Sequence, residues 1–452
     1  MNIIIAGNGK VGTTLARLLS AEGHDLTMID RSKRVLESTQ EQFDIMAVEG
    51  NCASMPVLLQ AGVENADLLI CATNADEVNL LCCMTAHGIN PRIHTIARIR
   101  NPEYTDQIYK MRTTFNLSLT VNPEKQSAQE IERILKYPGF LRRDTFAKGR
   151  TEIVELRVDG NSPLRDVSLI DMYKIVKCKV LVCAVLREGK AMAPGGSFIL
   201  REGDRIFVTA PAANLTTLLK NLGIITRRIR RVMLCGGDRI SHYLVEALLN
   251  QGIAVEIIEK DPARCRDLVS RLPGASVIQG DCSNQSFLES EGLADCDALI
   301  SLTGLDEMNM IVSLYAKSRG VSKVITKLGR NENLQMADDL NLGSVICPRE
   351  LCSNSIVRYV RAMQNQTGAA ISVHAIADGQ AEAVEFLVDE HTENCGKPLK
   401  ALKLKPNVLV VSITRGPHTE IPNGDSSFQR GDTVVVVTSG RGVLHQLNDI
   451  FA

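Results

Sequence analysis

Residues 2–12 read NIIIAGNGKVG, an apolar strand that runs directly into a glycine-rich loop, and this stretch decides the fold. Apolar residues then recur at helical spacing from Val11 to Leu19, so the loop opens a helix. A strand, a G-x-G-x-x-G loop and a helix in this order are typical of a Rossmann unit, whose loop and first helical turn bind a diphosphate through N–H groups. A second strand ends at Asp30, about 20 residues past the glycines, where a carboxylate can accept hydrogen bonds from a ribose. The spacing therefore predicts a dinucleotide site.

The loop residues have separate expected roles. Gly7 permits the tight turn, Gly9 lets the backbone approach a pyrophosphate, and Gly12 lets helix and strand pack closely. The acid at Asp30 favours NAD over NADP, whereas Arg31, directly after it, is suited to meeting a phosphate and keeps the alternative open. The sequence thus predicts NAD(H) as the first choice of ligand.

Length and charge limit the classes of protein that this chain can belong to. With 452 residues it exceeds what one hydrophobic core usually serves, so two to four domains are expected. Its 51 basic and 52 acidic residues nearly cancel, which leaves no overall field for nucleic acid, and no nucleic-acid partner is expected. No apolar run reaches the length of about 18 residues needed to cross a bilayer, and the first residues already form a strand, so a cytoplasmic location is expected.

The thirteen cysteines are scattered through apparent strands and helices, and none forms a C-x-x-C pair. An odd number without paired spacing is typical of buried, reduced thiols. We therefore expect no metal site.

The first half of the chain divides into two parts. Strands and helices alternate with short connections over residues 1–123, which predicts a parallel sheet covered by helices on both faces. A crossover helix and linker follow at 124–150, and strands separated by glycine turns then predict a small α+β lobe at 151–226. These parts make up a first unit, and the basic run RRIRR at 227–231 is interpreted as a solvated boundary.

The second half repeats the first. The stretch VMLCGGDRIS at 232–241 aligns with the first glycine loop, and Glu259 stands where Asp30 stood. Further on, GDC at 280–282 matches GNC at 50–52, and the turn TGLDEMN at 303–309 matches TNADEVN at 73–79. Lys327 matches Arg98. A second unit is therefore predicted, with a Rossmann domain at 227–347, a crossover helix at 348–368 and a small lobe at 369–452. The predicted fold class is α/β, with two Rossmann-like parallel-sheet domains that are each followed by a small α+β lobe.

The second glycine loop departs from the pattern at two positions. Asp238 and Ser241 replace Gly9 and Gly12, and a carboxylate at Asp238 places negative charge where a pyrophosphate would approach. We expect the first site to bind a dinucleotide more tightly, and the second to be weaker, differently selective or empty.

Over its whole length the sequence resembles the RCK (KTN) regulators of potassium channels and transporters, on the GNGKVG loop, the T-N-x-D-E-x-N turn, the arginine-ended strand and the small lobe, with two such units in one chain. The resemblance implies a cytosolic regulatory subunit that binds NAD(H) and can also bind ATP or ADP. It further implies a homo-oligomeric ring of RCK units, peripheral on the cytoplasmic face of the inner membrane, that gates a membrane-embedded potassium-translocating subunit.

The family's nucleotide contacts, together with neighbouring positions of the same motifs, define the candidate site residues. In the first unit they are Gly7, Asn8, Gly9, Lys10, Val11, Gly12, Asp30, Asn51, Cys52, Thr73, Asn74, Glu77 and Arg98. In the second unit they are Gly236, Gly237, Asp238, Arg239, Ile240, Glu259, Asp281, Cys282, Thr303 and Lys327.

A dinucleotide fold does not by itself imply hydride transfer. The first small lobe holds no histidine that could act as an acid or base, since none occurs between His94 and His242. Tyr173 and Lys177 form the Y-x-x-x-K pattern of short-chain dehydrogenases, but their apolar neighbours suggest ordinary packing. We expect a conformational switch without catalytic residues, with an NAD-dependent oxidoreductase and a nucleotide-independent assembly scaffold as the alternatives.

Overall fold

The first Rossmann domain is a six-stranded parallel sheet, seen in a computed structural model that describes residues 1–136, 139–147, 150–224, 228–330, 332–363, 370–439, 444 and 446–452. Its strands lie in the order β3-β2-β1-β4-β5-β6, which is the Rossmann order. Its elements are β1 (Asn2–Ala6), α1 (Lys10–Ala21), β2 (Asp25–Asp30), α2 (Lys33–Gln40), β3 (Met46–Glu49), α3 (Met55–Gln60), β4 (Leu68–Cys71), α4 (Asp76–Ile89), β5 (His94–Arg98), α5 (Pro102–Lys110) and β6 (Leu119–Val121).

A crossover helix and an antiparallel lobe follow. The five strands of this lobe lie in the order β10-β9-β11-β8-β7. The elements are α6 (Pro123–Lys136), β7 (Arg142–Phe146), β8 (Thr151–Arg157), α7 (Leu169–Val176), β9 (Leu181–Arg187), β10 (Lys190–Met192), β11 (Arg205–Pro211) and α8 (Ala212–Asn221).

The second unit repeats both sheets, in the orders β14-β13-β12-β15-β16-β17 and β18-β19-β22-β20-β21. Its elements are β12 (Arg231–Cys235), α9 (Arg239–Asn250), β13 (Ala254–Glu259), α10 (Pro262–Arg271), β14 (Ser276–Gln279), α11 (Gln285–Ser290), β15 (Ala298–Ser301), α12 (Asp306–Ser318), β16 (Lys323–Lys327), α13 (Glu332–Asp339), β17 (Ser344–Ile346), α14 (Pro348–Met363), β18 (Ala370–Ile376), β19 (Ala381–Leu387), β20 (Val408–Arg415), β21 (His418–Glu420) and β22 (Thr433–Ser439). The predicted fold class is confirmed. Arg227 of the basic run lies outside the described residues.

Strand β1 shows why each Rossmann sheet needs cover on both faces. Ile3 and Ile5 point to one face and pack with Leu15 of α1, whereas Ile4 and Ala6 point to the other and pack in a separate core. A parallel strand that is apolar on both sides is stable only when helices cover both. On the α1 side, part of this cover comes from a helix elsewhere in the chain.

The crossover helices are exchanged between the units. Helix α6 of the first unit places Ile131 and Leu135 in one core with Leu244 of α9, in the second Rossmann domain. Helix α14 of the second unit places Ile356 in the core of α1, in the first domain. Each Rossmann domain is therefore covered by a helix that belongs to the other unit.

The two small lobes pack face to face. Phe146 and Phe207 of the first lobe share a buried core with Ile376 and Val435 of the second. Polar contacts support this interface, since the Thr151 hydroxyl donates to the Ser412 oxygen at 3.2 Å. Nowhere in the described part of the chain is a helix both long and apolar enough to cross a membrane.

Candidate functional site

The first glycine loop is held close to the sheet and to α1. Gly7 has a φ of +101°, and a Cβ there would lie 2.9 Å from the Thr73 nitrogen. A Cβ on Gly12 would lie 2.0 Å from the Gly7 carbonyl oxygen, so this helix start can approach the turn only with glycine. Gly9 is different, because no heavy atom of the described residues lies within 4 Å of where its Cβ would be. The open side of the loop is therefore at Gly9.

Helix α1 begins beside this opening without a side-chain cap. Gly9 is the N-cap residue and provides no side-chain acceptor for the first turn. The N–H groups of residues 10–12 have no carbonyl partner within the helix, which makes the turn a site for an anion. Val11 is buried in the core, whereas Lys10 is exposed. The Lys10 ammonium reaches the second unit, where it lies 3.8 Å from the position that a Cβ on Gly329 would occupy.

Asp30 is fixed at the end of β2 by backbone donors. Its Oδ2 accepts the Asn8 N–H at 2.7 Å and its Oδ1 accepts the Ser32 N–H at 2.9 Å. The buried Asn8 side chain donates to the Thr39 hydroxyl at 2.7 Å and so ties the loop to α2. Asn8 therefore positions the loop and the acid rather than offering a free donor to a ligand.

The adjacent loop brings two further candidates beside Asp30. The Gly50 N–H donates to the Asp30 carbonyl oxygen at 2.9 Å. Asn51 is exposed next to it, whereas Cys52 is buried, and its carbonyl oxygen accepts a contact from the Cys82 thiol at 3.0 Å. Asn51 can face a ligand, and Cys52 supports the loop from beneath.

Asn79 organises the opposite side of the cleft. Its Oδ1 accepts the Thr73 hydroxyl at 2.7 Å and the Thr73 N–H at 3.0 Å, and its Nδ2 donates to the Arg98 carbonyl oxygen at 2.8 Å. Asn309 makes the same contacts with Thr303 and Lys327, at 2.7, 2.8 and 3.0 Å. Asn79 and Asn309 were not among the predicted site residues, although their recurrence in the repeated turn was the available signal.

Arg98 is a buried cation at this edge of the sheet. Its Nη2 donates to the Thr73 carbonyl oxygen at 2.8 Å and to Asn74 Oδ1 at 3.2 Å. Burial lowers the pKa of the guanidinium, and its Nε has no hydrogen-bond partner among the described residues. An unsatisfied buried donor is costly, and a phosphate or carboxylate oxygen would satisfy it.

Helix α4 begins at the cleft with two acids. Glu77 is exposed and accepts the Tyr104 hydroxyl at 2.7 Å, a hydrogen bond that lowers the pKa of Glu77. Asp76 is buried, and its Oδ2 accepts the N–H groups of Arg100 and Asn101, each at 2.8 Å. These contacts connect the start of α4 to the start of α5.

The second cleft reproduces the ribose side of the first. Glu259 accepts the N–H groups of Gly237 and Asp261, each at 2.8 Å, as Asp30 does in the first unit. Gly236 has a φ of +106° and repeats the turn of Gly7. The backbone of the two clefts is therefore alike up to the third loop residue.

Asp238 then changes the chemistry. Its Oδ1 accepts the N–H groups of Ile240 at 2.9 Å and Ser241 at 3.2 Å, and its Oδ2 pairs with the Lys327 ammonium at 2.5 Å. Arg239, which lies between Asp238 and Ile240 in the sequence, is exposed. Two of the first-turn N–H groups of α9 are thus occupied by a side chain of the chain itself.

The remaining candidates of the second unit lie around the same cleft. Asp281 pairs with Lys260 at 2.7 Å, and this ammonium lowers the pKa of Asp281 to about 2. Cys282, next to it, is buried.

The Y-x-x-x-K pattern lies on a surface helix of the first small lobe. Tyr173 is 65% exposed on α7, and Lys177 caps that helix with a φ of 50°. Helix α7 packs against α8 of the same lobe, so the pattern belongs to a different domain from the glycine loop.

Family models match both parts of each unit. The TrkA-N domain model matches residues 3–118 and 232–348, and the TrkA-C domain model matches residues 153–223 and 383–452. Two Rossmann clefts, each with its antiparallel lobe, thus define a protein of tandem TrkA-N and TrkA-C domains. The chain belongs to the TrkA family, and its resemblance to RCK regulators is confirmed.

Relatives match nearly the whole chain. The Trk system potassium uptake protein TrkA homolog of Archaeoglobus fulgidus is 31% identical over 96% of this chain and 97% of its own length. The Trk system potassium uptake protein TrkA of Haemophilus influenzae is 29% identical over 100% of this chain and 98% of its own. These relatives are named as potassium uptake proteins.

Solved structures share the fold at low sequence identity. The GsuK RCK domain matches with a TM-score of 0.61 and 16% identity, over 97% of this chain and 92% of that one. The GsuK channel bound to NAD matches with a TM-score of 0.60 and 17% identity, over 97% and 76%. The fold of this chain is therefore shared with the GsuK RCK domain.

Proposed function

We propose that this chain is a nucleotide-sensing regulatory subunit of a membrane potassium uptake system, and that its first cleft binds NAD(H), with ATP and ADP as further ligands. The observation that carries the proposal is the uncapped first turn of α1, which is open at Gly9, in a sheet whose strands β2 and β5 end at the fixed carboxylate of Asp30 and the buried guanidinium of Arg98. The names of the relatives and the NAD in a channel of the same fold support it.

Each part of the cleft suits one part of a dinucleotide. The first-turn N–H groups are donors for the diphosphate, and Asp30 keeps acceptor capacity for ribose hydroxyls. Arg98 holds an unused N–H for an anionic group. The first small lobe contributes no histidine, so binding is read out as a shift between conformations rather than as hydride transfer.

A chain of contacts leads from this cleft into the second unit. Asp76 at the start of α4 holds the backbone of Arg100, and the Arg100 guanidinium pairs with Glu124 of α6 at 2.5 Å. Beside it, the hydroxyl of Tyr243, on α9 of the second unit, accepts from Asn122 at 3.0 Å. A ligand that favours one position of α4 would therefore bias the packing of α6 against α9.

The partner in this proposal is a membrane-embedded potassium-translocating subunit. Copies of the chain would form a homo-oligomeric ring of RCK units on the cytoplasmic face of the membrane, as the resemblance to RCK regulators implies. The relatives' names as potassium uptake proteins support the choice of partner. No nucleic acid takes part. The two clefts are unequal, and the first is the tighter dinucleotide site.

Thermal unfolding with NADH, NAD, ATP and ADP tests the proposal. A ligand at 100 times its dissociation constant stabilises the folded chain by about 2.7 kcal/mol. Gly9→Asp should remove the shift by placing a carboxylate at the opening. Gly88→Asp should preserve it, because Gly88 lies on the exposed end of α4 and, among the described residues, no atom outside the helix backbone and its two chain neighbours lies within 4 Å of where its Cβ would be. An unshifted parent would favour the scaffold alternative, and steady consumption of NADH would favour the oxidoreductase.

A further inference from the structure

The second glycine loop carries its own anion. The carboxylate of Asp238 accepts the N–H groups of Ile240 and Ser241, the counterparts of Val11 and Gly12. A carboxylate and a phosphate are both anionic acceptors for the N-terminus of a helix. Two of the three donors that α1 leaves available are therefore already used in α9.

The same carboxylate crosses the cleft. Its Oδ2 pairs with Lys327 Nζ at 2.5 Å, and that ammonium also donates to the Leu302 carbonyl oxygen at 2.7 Å. The loop after β12 is thus tied to the ends of β15 and β16. In the first unit, no hydrogen bond or ion pair of the described residues joins the glycine loop to Arg98, and Gly9 has no side chain to offer one.

A third difference lies at the start of the helix. A Cβ on Gly12 would collide with the Gly7 carbonyl oxygen at 2.0 Å, whereas Ser241 is accommodated and its hydroxyl donates to the Gly236 carbonyl oxygen at 2.7 Å. The start of α9 therefore leaves room for a side chain beside its turn, which the start of α1 does not. The second loop is held by hydrogen bonds where the first is held by close packing.

We infer that Asp238 is a built-in substitute for a bound phosphate. It excludes diphosphate ligands from the second cleft and, through Lys327, keeps that Rossmann domain in the loop-to-sheet arrangement that the first domain acquires only when a ligand bridges its open cleft. The inference rests on the proposed function for the first cleft. The chain then has one responsive Rossmann domain and one that is fixed.

Calorimetric titration of the full chain with NADH tests the exclusion. The parent should bind one NADH per chain, Gly9→Asp none, and Asp238→Gly two, because the freed N–H groups and Lys327 then face the cleft. The double variant Gly9→Asp with Asp238→Gly should bind one, now in the second cleft. Two sites in the parent, a site that survives in Gly9→Asp, or no gain in Asp238→Gly would overturn the inference.

Hydrogen exchange at single-residue resolution tests the lock without any nucleotide. In the ligand-free parent, the amides of residues 240 and 241 should exchange at least tenfold more slowly than those of residues 11 and 12, and Asp238→Gly should abolish the difference. NADH should slow only residues 11 and 12. Equal exchange in the ligand-free parent would overturn the inference, whereas slow exchange at 240 and 241 with no NADH response at 11 and 12 would support the lock and refute the proposed function.

Discussion

Glu22, at the end of α1, is clasped by Arg361 of the exchanged helix α14. Glu22 Oε1 accepts from Arg361 Nε at 3.0 Å and from Nη2 at 2.5 Å, and the two side chains are only 6% and 8% exposed. The same guanidinium also pairs with Glu382 of the second small lobe at 3.1 Å. One buried cation therefore joins the first Rossmann domain, the crossover helix and a small lobe.

Arg361→Met should destabilise the chain by about 3–5 kcal/mol, because it leaves the buried carboxylate of Glu22 without its counter-charge and removes the partner of the half-buried Glu382. Denaturant unfolding measures this change. Arg430→Met is the matched control, since its pair with Glu390 is 70% and 59% exposed and should be worth at most about 1 kcal/mol. Equal effects of the two substitutions would show that the clasp contributes nothing beyond a surface pair.

The duplicated asparagines separate a structural effect from an effect on ligand binding. Asn79→Ala and Asn309→Ala each remove the same hydrogen bonds and should each cost about 1–3 kcal/mol of stability. Only Asn79→Ala should also weaken NADH binding, because Asn79 holds Thr73 and Arg98 at the open cleft. Titration of both variants checks this, and an equal loss of affinity in the two would contradict the assignment of the ligand to the first cleft.

The glycines of the first loop should respond differently to alanine. Gly12→Ala forces a Cβ against the Gly7 carbonyl oxygen and should destabilise the chain by about 1–3 kcal/mol or more. Gly9→Ala meets open space, so stability should stay near that of the parent while NADH affinity falls. Thermal unfolding without ligand and titration with NADH distinguish the two effects. A destabilising Gly9→Ala would mean that the opening is not where the structure shows it.

Lys323 should make stability depend on pH. It is buried at the start of β16 and donates to the Phe140 carbonyl oxygen at 2.8 Å, and burial lowers its pKa to about 7. The unfolded chain, with a lysine pKa of about 10.4, then binds more protons between these values, so this group makes stability rise with pH across that window, by at most about 1.4 kcal/mol per pH unit. Below pH 7 both states are protonated and the cost of burying the charge is fully present.

Chemical denaturation from pH 6.5 to 9.5 checks this dependence as a difference between parent and variant. Lys323→Met should flatten the rise. Lys260→Met, which removes an exposed lysine paired with Asp281, should leave it unchanged. A parent and a Lys323→Met variant with parallel pH profiles would refute the role of this lysine.

The local sequence pattern was enough to predict the parallel sheets and the Asp30 side of the cleft. The apolar run of β1, the glycine loop and the position of Asp30 follow from neighbouring residues, and the repeat transferred them to Glu259. The sequence also indicated that the carboxylate of Asp238 disfavours a pyrophosphate. Its bond to Lys327 joins residues 89 positions apart, and no local spacing encodes such a contact.

The packing partners of the crossover helices were beyond sequence reasoning for the same reason. The apolar face of α6 predicts that it is buried, but Ile131 would look the same against its own sheet or against α9. The side-chain role of Asn8 was also hidden, because the motif requires only its backbone, whereas the fold uses its amide to hold α2.

Because α6 and α14 are exchanged, the stability of each half of the chain depends on the other half. A half expressed alone would keep a crossover helix whose apolar face has no partner. It would also expose the apolar surface of its Rossmann domain that the crossover helix of the other half covers. Two such fragments, or two copies of one, would be driven to associate by the same apolar surfaces. The two units therefore pack like the subunits of an obligate dimer, although they belong to one chain. Their binding clefts can differ in chemistry, but neither Rossmann domain is fully covered without the helix of the other unit.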